Sequence, residues 1–327
     1  MKKILGIGNA LVDVMTMIDN DDILKKFYLP KGSMQLVDSE KSKQIKSETT
    51  NFNRSLTSGG SAANTIHGLA MVGLNTGFIG SIGKDELGDF FENDMKKAGI
   101  NTFLSRRDSV TGTAISLISP DSERTFATHL GAAVELDARD LVPDTFNDYN
   151  ILYMEGYLII NKPLVETACH IAREKNMKIA LDLSSYNVVD AKLAEFREII
   201  ENYVDIVFAN EEEARSYTGK EPEDALKIIS ESCEVAVIKA GREGSWVKRG
   251  EEIVKIGIDK VIPKDTTGAG DLYASGFLFG YANGLDLEKC GLLGSLMAGK
   301  VIEVVGARMD QHKWEKIRTS VSEISGA

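Results

Sequence analysis

Apolar positions along the chain fall into two alternating rhythms. From about residue 60, SAANTIHGLAMVG has helical spacing, NTGFIGSIG reads as strand and loop, and DELGDFFENDMKKAGI as an amphipathic helix. Further on, the helical KPLVETACHIAREKN leads to the strand KIALDLS, and AEFREIIENY to the strand VDIVFAN. EVAVIKAG and two C-terminal helical runs follow. Strands and helices alternating in this way predict βαβ units and an α/β fold, with a mostly parallel sheet covered by helices on both faces. The short unbroken runs IVF and VAVI suit strands buried on both sides.

Two regions break the rhythm. Residues 14–37 hold the strand-like VMTMID and SMQLV around the polar DDILKKFYLPKG, and 112–130 read as two strands about a Pro-Asp-Ser turn. Together they predict a small sheet, a lid of approximately 12–55 and 102–130, within one domain spanning 1–327. Flaps that project from an α/β sheet often close over a site. The run 244–257 predicts a further hairpin, and KSKQIKSETTNFNRS an exposed helix and connection.

Composition narrows the function classes. With 327 residues and 43% hydrophobic content the chain can bury a large core. The net charge of -11 comes without a basic block, which gives nucleic-acid binding no support. Cys169, Cys233 and Cys290 are far apart, which argues against a disulfide framework and suits a reducing compartment. The apolar N-terminal run is short and broken by glycines, so a first strand is expected rather than a signal peptide or membrane anchor. A cytoplasmic protein acting on a small molecule is the expectation.

Two near-matches fail on context. Gly6–Leu11 (GIGNAL) lacks the third glycine of a dinucleotide fingerprint and runs into another strand-like piece rather than a helix. Gly294–Val301 (GSLMAGKV) has Val301 where a phosphate loop needs Ser or Thr, and lies inside an apolar helical pattern. The histidines at 67, 129, 170 and 312 have no ligand spacing.

The chemistry-bearing stretch is DTTGAGD, 265–271, directly before the helical LYASGFLFGYANG. Amides of Gly268, Ala269 and Gly270 at a helix N-terminus make a seat for an anion, with the Asp271 carboxylate beside it. Asp271 could equally be a plain helix cap.

These residues resemble the C-terminal signature of the PfkB (ribokinase-like) carbohydrate and nucleoside kinases. GGSAANT, 59–65, and GSIGKDELG, 80–88, resemble the companion N-terminal signature. The resemblance spans essentially the whole chain. GNALVDV, SERTFATHLGAA, LDLSSYN and VDIVFANEEEA look most like the adenosine-kinase-like branch. It implies a Rossmann-like ribokinase fold with a small β lid, and transfer of the γ-phosphoryl of ATP to a primary alcohol. It also implies Asp271 as catalytic base, with Gly268, Ala269 and Gly270 as an anion hole. At a helix N-terminus Asp271 should stay ionised at neutral pH.

By the same resemblance Asp13, Gly59, Gly60, Asn64 and Arg124 meet the acceptor, although Arg124 could equally be a solvent-exposed hairpin charge. Asn210, Gly241, Gly244, Thr266, Gly268, Gly270, Gly306 and Ala307 would line the ATP side. Asn210 and Glu213 match an N-x-x-E motif that orders Mg2+ through water, yet Asn followed three residues later by Glu is also a capping box. Asp265 and Thr267 are candidates for a monovalent cation such as K+. Phe103, Phe126 and Met34 are candidate lid contacts for a base. Adenosine or a related nucleoside is the first expectation for the acceptor. The alternatives are a sugar (ribose, fructose or a keto-deoxy sugar acid), or a non-catalytic nucleotide- or sugar-binding protein. Open lid edges leave both monomer and homodimer possible.

Overall fold

The computed structural model describes residues 2–121, 123–258 and 261–326. Its strands are β1 (Ile4–Ile7), β2 (Leu11–Met17), β3 (Met34–Leu36), β4 (Arg54–Gly59), β5 (Thr76–Gly83), β6 (Asn101–Arg107), β7 (Gly112–Ile118), β8 (Arg124–His129), β9 (Ile151–Glu155), β10 (Lys178–Asp182), β11 (Ile206–Asn210), β12 (Val235–Lys239), β13 (Ser245–Arg249) and β14 (Glu252–Ile256). They form a nine-stranded sheet in the order β14-β13-β12-β11-β10-β9-β1-β5-β6 and a five-stranded sheet in the order β3-β8-β7-β2-β4. The large sheet is parallel from β12 to β6 and ends in the antiparallel β13–β14 hairpin, where the 244–257 run predicts one.

Successive strand residues point to opposite faces, and the sequence supplies apolar groups to both. Ile206 and Phe208 join one core cluster, while Val207 and Ala209 join the other. Helices therefore cover both faces, as the unbroken apolar runs require. Among the described residues no helix is long and apolar enough to cross a membrane.

The small sheet differs from the expectation at one boundary. Residues 101–107 pair with β5 in the large sheet, so the lid consists of β2, β3, β4, β7 and β8 and not of 102–111. Phe103 consequently sits on the body, edge-on to Tyr149 at 6.4 Å, and is no lid contact for a base. β7 and β8 pair antiparallel as a hairpin, and β3 adds parallel to β8; Ser122 of the predicted turn lies outside the described residues.

Both decoys resolve as their context implied. The GIGNAL segment joins β1 to β2 without a helix, and GSLMAGKV lies within the continuous helix Leu287–Val301. That helix packs on Ala269–Ala282 through small residues: a Cβ on Gly276 would overlap the Leu293 carbonyl, and one on Gly294 would meet the Tyr273 ring at 2.9 Å. Gly276→Ala should therefore force the two helices apart and cost about 1–3 kcal/mol, a fall of several degrees in Tm. Gly257→Ala, with open space around its Cβ, should leave Tm nearly unchanged by calorimetry. Equal melting of the two variants would contradict the close-packing account.

Candidate active site

Polar residues end four neighbouring strands on one face. The apolar positions before them (Tyr153, Ala180, Phe208, Val237) belong to the same core cluster, so Glu155, Asp182, Asn210 and Lys239 project from that cluster's face at the strands' carboxyl ends. Above this rim stand the N-termini of two helices, Ser61–Met71 and Ala269–Ala282. An open α/β sheet binds its ligands at this edge.

The two signature stretches meet here. Gly268 caps the second helix with φ 77°, a left-handed conformation that favours glycine, and its Cα side faces Ala307. Asp271, in the first turn, accepts hydrogen bonds from Ser61 Oγ at 2.7 Å and from Asn64 Nδ2 at 3.0 Å. Burial pushes the Asp271 carboxyl up to about 6; these two donors and Lys239 pull it back, and Asp182 adds to the rise. The carboxylate is still mostly ionised at neutral pH, but it is more basic than a surface helix cap. The Asn64 Oδ1 is buried without a partner, an acceptor left for something else.

One predicted anion-hole donor is otherwise engaged. The Ala269 amide donates to the Thr266 carbonyl at 3.2 Å and closes the turn, whereas the amides of Gly268 and Gly270 have no acceptor among the described residues. The turn thus leaves the Gly268 and Gly270 amides open, while Ala269 closes it.

Asp13, on β2, is half-buried, and its carboxylate accepts no hydrogen bond from the described residues. Burial pushes its carboxyl up to about 7, against the pull of Arg308 and Arg124. Gly59 leaves room for that carboxylate: a Cβ there would overlap both its oxygens. Gly60, with φ 101°, caps the Ser61–Met71 helix and lies against the Asn9 carbonyl.

Arg124 is not a solvent-exposed hairpin charge. Its side chain is 10% exposed and pairs with Asp265 at 2.5 Å, leaving Nη2 buried and unpartnered. Asp265 also accepts from Thr267 N at 3.1 Å, Thr267 Oγ1 at 2.8 Å and Gly306 N at 2.6 Å. Four donors therefore occupy the Asp265 carboxylate. The same contacts bring Thr266, Gly306 and Ala307 against the Gly268 turn.

Asn210 and Glu213 form the capping box that the sequence equally allowed. Asn210 Oδ1 accepts from the Glu213 amide at 2.8 Å, and Glu213 Oε2 from the Asn210 amide at 2.7 Å. Burial pushes Glu213 up to about 7, opposed by Lys239. Gly241 and Gly244, with φ 47° and 91°, turn the chain from β12 into β13.

Five residues around this site escape a motif reading. Ser61 Oγ holds Asp271. Glu155 accepts from Asn9 N at 2.9 Å and Ala62 N at 2.8 Å, tying the Ser61–Met71 helix to the β1 loop. Arg308 donates to the Ser58 carbonyl at 2.7 Å, and Lys239 pairs with Asp182 at 2.7 Å. For four of them the signal is a hydroxyl beside a glycine or a charge at the end of a buried strand, as in LYME, IALD and VAVIK; Arg308 follows Gly306 by two residues.

This chain belongs to the pfkB family of carbohydrate kinases, whose model matches residues 33–314. It is a phosphotransferase with an alcohol acceptor, and the non-catalytic alternative falls away. It is similar to a solved adenosine kinase from Sinorhizobium meliloti, at 35% identity and TM-score 0.87, covering 98% of this chain and 99% of that one. It is also similar to a probable sugar kinase from Rhizobium etli, at 34% identity and TM-score 0.88, covering 98% of both chains. An uncharacterized sugar kinase of Archaeoglobus fulgidus is 28% identical over 74% of this chain and 96% of its own. Kinases of this family use ATP, generally with Mg2+.

If Asp271 must be ionised to act, kcat/KM should fall as pH drops through about 6, recorded between pH 5 and 8. Asp13 and Glu155, each raised to about 7, protonate in the same window and should steepen the limb. The fold should outlast the activity. Carboxyls raised by burial bind protons more tightly folded than unfolded, so protonating them adds stability as pH falls from 7 toward 4. Asp137, held near 2 by the Arg139 guanidinium, contributes in the opposite sense and only at lower pH. Circular dichroism at pH 5.5 should still read a folded protein, and unfolding coincident with inactivation would refute this account.

Proposed function

We propose that this kinase phosphorylates the primary hydroxyl of a nucleoside, adenosine or a close analogue. The observation that carries the reading is the lid register. Asp13 pairs across the sheet with Ala114, which pairs with Thr128, which pairs with Leu36. The next row on that face is Met15, Ser116, Phe126 and Met34, and the one after it ends in Arg124, which reaches Asp265 beside the Gly268 turn. One face of the lid thus combines a carboxylate with free oxygens and an apolar ledge. The first suits two adjacent ribose hydroxyls and the second a flat base.

On this reading Asp271 takes the hydroxyl proton, and the Gly268 and Gly270 amides receive the charge that builds on the phosphoryl oxygens. Asn64, through its free Oδ1, and Asp13 orient the acceptor, with Gly59 and Gly60 allowing its close approach. Asn210, Gly241, Gly244, Thr266, Gly306 and Ala307 border the ATP side. Among the described residues no three His, Cys, Asp or Glu side chains converge on a metal position, so Mg2+ would ride on the phosphates, with Asn210 and Glu213 reaching it through water. A second reading, a sugar acid as acceptor, draws on one observation: Arg124 Nη2 and Arg308 Nη1 are buried without partners, and both arginines act on Asp13.

ADP release across nucleosides, ribose, fructose and keto-deoxy sugar acids separates the two. Turnover of adenosine is expected, and turnover of a sugar acid with none of any nucleoside would favour the second reading. Phe126→Ala should raise KM for the nucleoside about tenfold, with kcat little changed. Asp271→Asn should lower kcat at least about a hundredfold while sparing the fold. Asn210→Ala should cost about 1 kcal/mol as a lost cap and also raise the Mg2+ concentration giving half-maximal rate. An unchanged Mg2+ requirement would reduce Asn210 to a cap.

A further inference from the structure

We propose that Lys239 is a catalytic residue of the phosphoryl transfer, its ammonium meeting the charge on the migrating group beside the Gly270 amide. The proposal rests on the Gly268–Gly270 turn being the anion seat.

Lys239 ends β12 next to Asn210 on β11, and its side chain is 14% exposed. Its ammonium comes within 3.2 Å of where a Cβ on Gly270 would stand, at the open end of the Ala269–Ala282 helix. Any side chain at 270 would crowd this amine, so the glycine there admits a cation as well as a close backbone. One hydrogen bond is made, to Asp182 Oδ2 at 2.7 Å, and an ammonium has three protons to give. Two remain for oxygens arriving at the turn.

The surroundings make this cation the relevant one. Asp13, Glu155, Asp182, Glu213 and Asp271 bring five carboxyl groups to the site. Two other buried cations lie near it. Arg124 is bound to Asp265 and Arg308 to the Ser58 carbonyl, both on the lid side. Lys239 is the cation that reaches Gly270 among the described residues. Phosphate oxygens seated at the turn would meet net negative charge without it, and an ammonium held in a dry rim acts at full strength.

In the transfer, the acceptor oxygen bonds to the γ-phosphorus as the bond to the β–γ bridging oxygen breaks, its electron pair leaving with ADP. The hydroxyl proton passes to Asp271. Lys239 gains and loses no proton, and its contribution is charge alone. Asp182 positions it and does not touch the reacting atoms.

A structural ion pair would also explain a buried Lys–Asp contact, so the test removes both charges. In Lys239→Met/Asp182→Asn the neutral Asn still accepts from the Ser184 amide, as Asp182 does at 2.9 Å. With ATP and the acceptor that turns over best, kcat should fall about a hundredfold. Tm and the acceptor's KM should stay close to the parent's. A folded double variant with kcat within threefold of the parent would overturn the proposal. If that variant does not fold, Lys239→Gln, which keeps a hydrogen bond to Asp182 without the charge, decides on the same thresholds. Asp271→Asn is assayed alongside. Its full activity would mean that the site itself is misread, whereas its loss beside unimpaired Lys239 variants would sink this proposal alone.

Discussion

The site depends on one constraint: the Asp271 carboxylate is partly buried at the meeting point of two distant chain segments and needs donors there. Ser61 and Asn64 meet it by supplying one donor to each oxygen. They can do so because the two helices approach closely. Ser275 Oγ donates to the Thr65 carbonyl at 2.8 Å, and Gly68 leaves the space that Ser275 and Leu272 fill. Glu155 fixes the other side by holding the Ala62 amide, so the first turn of the Ser61–Met71 helix cannot drift from the strand ends. Small residues, helix caps and a buried carboxylate thus serve one geometric end, and a larger side chain at Gly68 would act on the chemistry through packing alone.

Much of this was legible in the sequence, and physics explains which parts. The parallel sheet followed from unbroken apolar runs, because a strand covered on both faces leaves no room for polar alternation. The open helix N-terminus at Gly268–Gly270 followed from glycines before an apolar helix. The lid boundary at 102–111 did not, because NTFLSRR alternates like a lid strand although it is the edge of the body sheet, half-covered by its position rather than by its composition. Phe103 was misassigned for the same reason. Asp182 and Lys239 lie inside the strand runs KIALDLS and EVAVIKAG, and Glu155 in a stretch given no element. Their importance arises only when parallel register brings those strand ends side by side, which local spacing cannot reveal.

Arg124 illustrates a further limit. In the sequence it is a charge on a hairpin, where exposure is the ordinary outcome. In the fold it is buried because its partner, Asp265, lies 141 residues away in the DTTGAGD turn. Asp265 spends its remaining lone pairs on Thr267 and Gly306, so the carboxylate that orders the phosphate-side loops is the one the lid grips. Lid position and loop order are therefore mechanically joined through a single side chain.

That junction bears on how an acidic protein can accept a polyanion. A pair buried to this degree costs several kcal/mol of desolvation per ion, repaid only when hydrogen bonds complete both partners. Asp265 is completed and Arg124 is not, its Nη2 remaining buried and empty. The guanidinium therefore keeps an unspent donor on the lid side. Lys239 likewise makes one hydrogen bond, to Asp182, and lies against Gly270. Each of these two cations is paired with one carboxylate, Arg124 with Asp265 and Lys239 with Asp182. Those carboxylates hold the two cations in place, and both cations keep donors that the fold alone leaves unused.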